Sequence, residues 1–92
     1  MLLTIDIGNT NVTLGLYERD TLGPRWRLAT DQERMPDEWG LQMVALLGHA
    51  GVSPAHLTGI CLASVVPPLT GRIVSACRDY LRQDSLVVDA GV

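Results

Sequence analysis

The sequence predicts an α/β domain built on a mixed sheet, with elements in the order βββαβαβ: an antiparallel meander first, parallel strands after it. Three observations carry this reading. Short apolar or alternating runs with β-branched residues open the chain, two later stretches space their apolar residues at helical intervals, and a nearly continuous apolar run, Ile60 to Val66, lies between those two. Strands that alternate with helices imply βαβ units and parallel pairing.

Strand one is expected at Leu2 to Ile7 and strand two at Val12 to Glu18. Gly8, Asn9 and Asn11 between them accept positive φ and so suit a tight turn. Turn residues occupy Asp20 to Pro24, and Arg25 to Ala29 reads as a third strand, with Arg25, Arg27 and Ala29 on one side and Trp26 and Leu28 on the other. Pro36 suits a first helical turn, where Asp37 and Glu38 complement the positive end of the dipole. Trp39, Met43, Leu46, Leu47 and Ala50 form one apolar stripe, and Gly51 is a natural stop. Trp39 reads as a core anchor rather than a ligand platform.

The run Ile60 to Val66 has the signature of a strand covered on both faces, ended by Pro67. A second helix is expected from about Pro68 to Leu81, with Leu69, Ile73, Cys77, Tyr80 and Leu81 on its buried stripe. Ser85 to Val88 then makes a last strand, which closes a right-handed parallel βαβ unit.

Composition narrows the function. A chain of 92 residues is one small domain, burying roughly 60–65% of its unfolded surface. Its 47% hydrophobic content supports a packed core. A net charge of −3 argues against a nucleic-acid surface. All seven basic residues are Arg, so a Walker A loop and a Schiff-base lysine are both excluded. Cys61 and Cys77 lie in apolar surroundings and read as small buried hydrophobes, not as a disulfide or metal pair. His49 and His56 have no acid or Cys at metal-ligand spacing and read as surface residues. Ser64 lacks the Gly-x-Ser-x-Gly context of a nucleophile, and its hydroxyl is expected to bond to backbone. Asp84 and Asp89, beside the last strand, receive no catalytic role. No basic leader with an apolar h-region opens the chain, and no apolar run approaches 18 residues, so a soluble cytoplasmic protein with no membrane partner is expected.

Chemistry concentrates in Asp6-Ile7-Gly8-Asn9-Thr10-Asn11. Such a turn offers consecutive backbone N–H groups, and a residue without Cβ lets an anion approach them. Thr10 and Thr13 add hydroxyls, and Asn9 and Asn11 add amides. A carboxylate, Asp6, belongs beside a phosphate only with a cation between them, and Mg²⁺ shared by one carboxylate, water and substrate phosphates is the usual solution. A plain hairpin also uses Gly-Asn turns. Here an acid, a glycine, two asparagines and a threonine in six residues exceed what a hairpin requires.

This segment resembles the first phosphate motif of the type III pantothenate kinases, members of the acetate kinase, sugar kinase, Hsp70 and actin superfamily. Ala29-Thr30-Asp31 followed by Asp37-Glu38 is similar to the family's approach to its first helix, and Ala63-Ser64-Val65-Val66-Pro67-Pro68-Leu69 is similar to its Ser-Val-Val-Pro segment. The similarity runs in order through nearly all 92 residues, although Asp89 stands where the family more often has a small residue.

The resemblance implies an actin-like, RNase H-like domain, of which residues 1–92 form the N-terminal part of the first ATPase domain, with a further helix and a second domain expected beyond Val92. It implies ATP-dependent phosphorylation of pantothenate to 4'-phosphopantothenate, the first step of coenzyme A biosynthesis, with ATP, Mg²⁺ and a monovalent cation (K⁺ or NH₄⁺). It also implies a homodimeric full-length enzyme. The nucleotide-binding residues it implies are Asp6, Ile7, Gly8, Asn9, Thr10, Asn11, Val12 and Thr13, with Asp6 facing the metal. The family's base is an aspartate in a Gly-Ala-Asp-Arg motif that this chain lacks, so no catalytic residue is expected here and the isolated chain is expected to be inactive. Another kinase or phosphatase of the superfamily, a non-catalytic accessory or regulatory protein, and an inactive truncated product are the alternative readings. Because strand Ile60 to Val66 is apolar on both faces and two helices cover only one, the isolated chain is also expected to self-associate or to be marginally stable.

Overall fold

The computed structural model describes residues 1–89; the part of the one-domain reading that concerns residues 90–92, and the side chain of Asp89, lie outside it. Its elements are β1 (Leu2–Ile7), β2 (Asn11–Glu18), β3 (Thr21–Ala29), α1 (Pro36–His49), a 3-10 turn (Pro54–His56), β4 (Gly59–Ser64), α2 (Pro67–Tyr80) and β5 (Leu86–Asp89). They form a five-stranded sheet in the order β3-β2-β1-β4-β5. The β1-β2 and β2-β3 pairs are antiparallel, and β1-β4 and β4-β5 are parallel. This is the predicted mixed sheet: α/β, with the meander first and the parallel strands after.

Strand β1 is central, and its pleat sorts the molecule into two faces. Leu3, Ile5 and Ile7 point one way and register with Leu16, Leu14 and Val12 on β2; Leu3 and Ile5 also register with Ile60 and Leu62 on β4. All of these are buried. Helices α1 and α2 pack against each other and close this face with Trp39, Met43, Leu47, Leu69, Ile73 and Cys77. Among the described residues, no helix is long and apolar enough to cross a membrane.

The helices meet at Gly40, where an added Cβ would lie 2.2 Å from a ring carbon of Tyr80. The Tyr80 hydroxyl donates to Asp37 Oδ1 at 2.7 Å, and that bond raises the phenol's pKa. At the start of α1, the Met35 N–H donates to Glu38 Oε1 at 3.0 Å, half of a capping box. Arg34 stacks 4.7 Å from the Trp39 ring centroid and donates to Gln42 Oε1 at 3.0 Å. At the other end Gly51 adopts φ +76, with Val52 N–H bonded to Leu47 O and Gly51 N–H to Gly48 O. This is a Schellman cap, and it makes Gly51 the stop that the sequence announces.

Two boundaries differ from the sequence reading by more than one residue. β3 begins at Thr21, not Arg25, and the tight turn is Arg19-Asp20 with Glu18 facing Thr21. Gly23 and Pro24 are tolerated inside β3 because it is an edge strand, where a missing N–H breaks no ladder, and the register slips between Gly15 and Tyr17 opposite them. β4 ends at Ser64, two residues before Val66. The Ser64 hydroxyl accepts the Val66 N–H at 3.0 Å and turns the chain out of the sheet, leaving Val65 exposed and Val66 buried.

The second face of the sheet carries no helix among the described residues. Its largest apolar exposure is at the β5 edge, where Leu86 is 70% and Val88 47% exposed; Leu2 and Leu22 follow at 39% and 38%, while Cys61 and Ala63 on β4 are half-buried. The uncovered surface expected along β4 is thus displaced to β5.

Candidate functional site

The pleat that buries Ile5 and Ile7 turns Asp6 to the open face, near the carboxyl end of β1. Asp6 registers with Thr13 on β2 and Ala63 on β4, and Thr13 registers with Arg27 on β3. A row Arg27–Thr13–Asp6–Ala63 therefore crosses the sheet. Asp6 is exposed, and the ion pair found among the described residues, Arg78 with Asp79, lies elsewhere. A hollow lined by Thr13, Arg25, Trp26 and Arg27 adjoins the row.

The turn after Asp6 consists of Gly8, Asn9 and Thr10. The Gly8 N–H donates to Asn11 O at 2.9 Å and closes it. The turn does not draw on the tolerance of Gly8, Asn9 and Asn11 for positive φ: the described residues with positive φ are Arg19, Gly51 and Arg82. Glycine serves space instead, since a Cβ at Gly8 would stand 3.1 Å from Asn11 O.

Three further bonds hold the turn from outside. Thr30 Oγ1 donates to Gly8 O at 2.7 Å, Thr30 N–H donates to Thr10 O at 3.0 Å, and Val65 N–H donates to Ile7 O at 3.0 Å. The carbonyl oxygens of Ile7, Gly8 and Thr10 are thereby engaged. The N–H groups of Asn9 and Thr10 meet no acceptor among the described residues. Carbonyls satisfied and amides free is the polarity that an anion needs. The side chains of Asn9, Thr10 and Asn11 are exposed, and Thr13 is half-buried beside Asp6. Ile7 and Val12 are buried in the core, so only their backbone can face a ligand.

The start of α2 is a poorer anion site. Its first two residues, Pro67 and Pro68, have no N–H, and the N–H groups of Leu69 and Thr70 both return to Val66 O. Ser64 is committed locally as well, receiving the Thr70 hydroxyl at 2.7 Å besides the Val66 amide. Its structural reading holds.

The other reactive side chains stand apart. Cys61 and Cys77 are both unbridged, and burial pushes the Cys77 thiol up to about 11. His49 is exposed, and His56 Nδ1 accepts the Ser53 N–H at 3.2 Å. Among the described residues no group of three His, Cys, Asp or Glu side chains forms a metal cage. Sequence reasoning missed Thr30 as a brace and Arg27 as a neighbour of the site. The alternation along β3 already placed Arg27 on the open face, but Thr30 follows the strand, and its hydroxyl reaches Gly8 only through the folded register.

A central parallel pair, an antiparallel hairpin beside it, an acid closing β1 and a donor-bearing turn define the opening of an actin-like α/β domain. The comparisons make the assignment specific. The sequence model of the type III pantothenate kinases matches residues 2–92, and the chain belongs to that family. It is 42% identical over 92 residues to the type III pantothenate kinase of Brevibacillus brevis, 43% identical over 90 residues to that of Roseiflexus castenholzii, and 47% identical over 89 residues to that of Thermomicrobium roseum. These alignments cover 100%, 98% and 97% of this chain. They cover 36%, 35% and 34% of the relatives, so the chain spans about a third of their length.

Proposed function

We propose that this chain is the nucleotide-phosphate half-site of a kinase that phosphorylates pantothenate at the expense of ATP. The observation that carries the reading is the turn at residues 8–10: two backbone amides and an exposed carboxylate beside them that find no partner among the described residues, in a chain of this family. In this reading the amides of Asn9 and Thr10, with the Thr10 and Thr13 hydroxyls, hold the terminal phosphates of ATP. Asn11 presents its amide at the rim, while Ile7 and Val12 anchor the strands in the core.

An exposed carboxylate with no partner among the described residues fits Mg²⁺, which takes few protein ligands and fills its shell with water and phosphate oxygens. Asp6 would hold it, and the ion would supply neutralisation of charge on the transferring phosphoryl group. The residues of this chain bind and orient, because the phosphate must be fixed in line before an acceptor hydroxyl can attack it. The acceptor site, the general base, the monovalent-cation site (K⁺ or NH₄⁺), the homodimer contacts and the cytoplasmic setting belong to the same proposal and are assigned to the two-thirds of the relatives' length that the chain does not span. Residues 1–92 are accordingly assigned to the first of two actin-like domains.

The test is a chimera of residues 1–92 with the remainder of the Brevibacillus brevis relative. ATP-dependent phosphorylation of pantothenate is expected from the chimera and not from the 92-residue chain. Turnover by the 92-residue chain alone would show that the chemistry has been misplaced, and a folded but inactive chimera would remove the kinase reading.

A further inference from the structure

We infer that Thr30 is the positioning residue of the phosphate turn: one residue, just past β3, that fixes both ends of the turn and so leaves the Asn9 and Thr10 amides free. The inference rests on the nucleotide reading above and extends it to a residue that never touches the ligand. Thr30 donates twice, from its hydroxyl to Gly8 O at 2.7 Å and from its N–H to Thr10 O at 3.0 Å. The two acceptors flank Asn9. A three-residue turn closed by the single bond Gly8 N–H to Asn11 O has its middle peptide otherwise unconstrained, and rotation of that peptide would present a carbonyl oxygen where an amide is needed. Engaging the carbonyls on both sides removes that alternative.

The brace has a fixed base. Thr30 is half-buried and opens the β3–α1 loop, and farther along that loop Arg72 of α2 donates to Gln32 O at 2.7 Å and to Arg34 O at 3.0 Å. Arg34 in turn bonds Gln42 on α1. The turn is thus tied through Thr30 to a loop that both helices hold. A hydroxyl is required, because the Gly8 carbonyl receives a side-chain donor and not a backbone one.

The experiment measures Mg²⁺-ATP binding to the full 92-residue chain by amide chemical shifts, for the parent and for Thr30→Val, Thr30→Ser and, as a control, Thr4→Val. Thr4 also bonds a strand carbonyl, Gly15 O at 3.3 Å, but away from the turn. Thermal unfolding is recorded for each. Thr30→Val should weaken binding about fivefold, as expected for one hydrogen bond of typical net worth. It should also shift the Asn9 and Thr10 amides in the free protein, while Thr30→Ser and Thr4→Val bind as the parent does. Parent-like affinity in Thr30→Val overturns the inference and leaves the nucleotide reading standing. An affinity loss that only tracks a lowered folded fraction, and that Thr30→Ser does not restore, makes Thr30 structural and also overturns it. A parent chain whose amides do not respond to Mg²⁺-ATP overturns both readings.

Discussion

The two hairpin turns of this chain solve the same problem in opposite ways. Arg19-Asp20, between β2 and β3, is an autonomous turn: it is exposed, a non-glycine residue bears φ 58, and among the described residues no tertiary bond holds it. Gly8-Asn9-Thr10, between β1 and β2, is free of positive φ yet receives donors from Thr30 and Val65. The first stores a local strain of about 1–2 kcal/mol that strand pairing offsets. The second has its backbone oxygens satisfied by the protein and its amides left over. A turn that only reverses the chain needs local geometry; the turn proposed to bind an anion has its polarity fixed from outside.

Three outcomes bear on this contrast, and a fourth tests the core beneath it. The largest concerns the two aspartates. In the chimera, Asp6→Asn should lower turnover by orders of magnitude with an unchanged melting temperature, since metal-mediated charge stabilisation is worth several kcal/mol, whereas Asp20→Asn should change neither. Near-parental turnover in the Asp6 variant would remove its role.

Next in size is an effect that belongs to neither turn. Cys77 is buried beneath α2, and burial raises its thiol from an ordinary value near 9 to about 11. The folded state therefore holds a proton that the unfolded state releases. The stabilisation is full below pH 9 and is lost as pH rises from 9 to 11, by about 2–3 kcal/mol. Chemical denaturation across that window should show the decline, and Cys77→Ala should remove most of it, leaving the decline above pH 10 that the raised Tyr80 phenol contributes. An undiminished decline between pH 9 and 10, below the range where Tyr80 titrates, would place the titrating group elsewhere.

Gly8→Ala should cost about 1 kcal/mol of stability, because the new Cβ presses on the Asn11 carbonyl. It should also weaken Mg²⁺-ATP binding, because the turn must open to relieve the contact. The smallest effect is at Arg19. Arg19→Gly should gain about 0.5 kcal/mol, the relief of a left-handed conformation less the extra chain entropy of glycine. Denaturant midpoints of the pair should move in opposite directions; two losses would mean that the turns are alike.

Much of this was legible before folding. The limits of β1, the buried stripes of both helices and the Gly51 stop follow from periodicity and cap chemistry, which act within a few residues. The site was legible as a composition, an acid and a cluster of donors after a short strand. What escaped depends on partners distant in sequence. Gly23-Pro24 reads as a turn until β3 is known to be an edge. Val65 and Val66 read as strand until the Ser64 hydroxyl is seen to capture an amide. Gly8 reads as a conformational requirement, but the constraint is the Asn11 carbonyl above it. Thr30 falls in a segment that resembles the family, but nothing local signals its bracing role, since its acceptors lie more than one strand away along the chain.

The central claim is that the first turn, and not the second, receives the phosphates. Titration of the ¹⁵N-labelled chain with Mg²⁺-ATP tests it most directly. Amide shifts should concentrate at residues 6–13 and at Thr30, dependent on Mg²⁺, with Glu18 to Thr21 unmoved. Shifts centred on the Arg19-Asp20 turn or on the α2–β5 segment, with residues 6–13 silent, would contradict it.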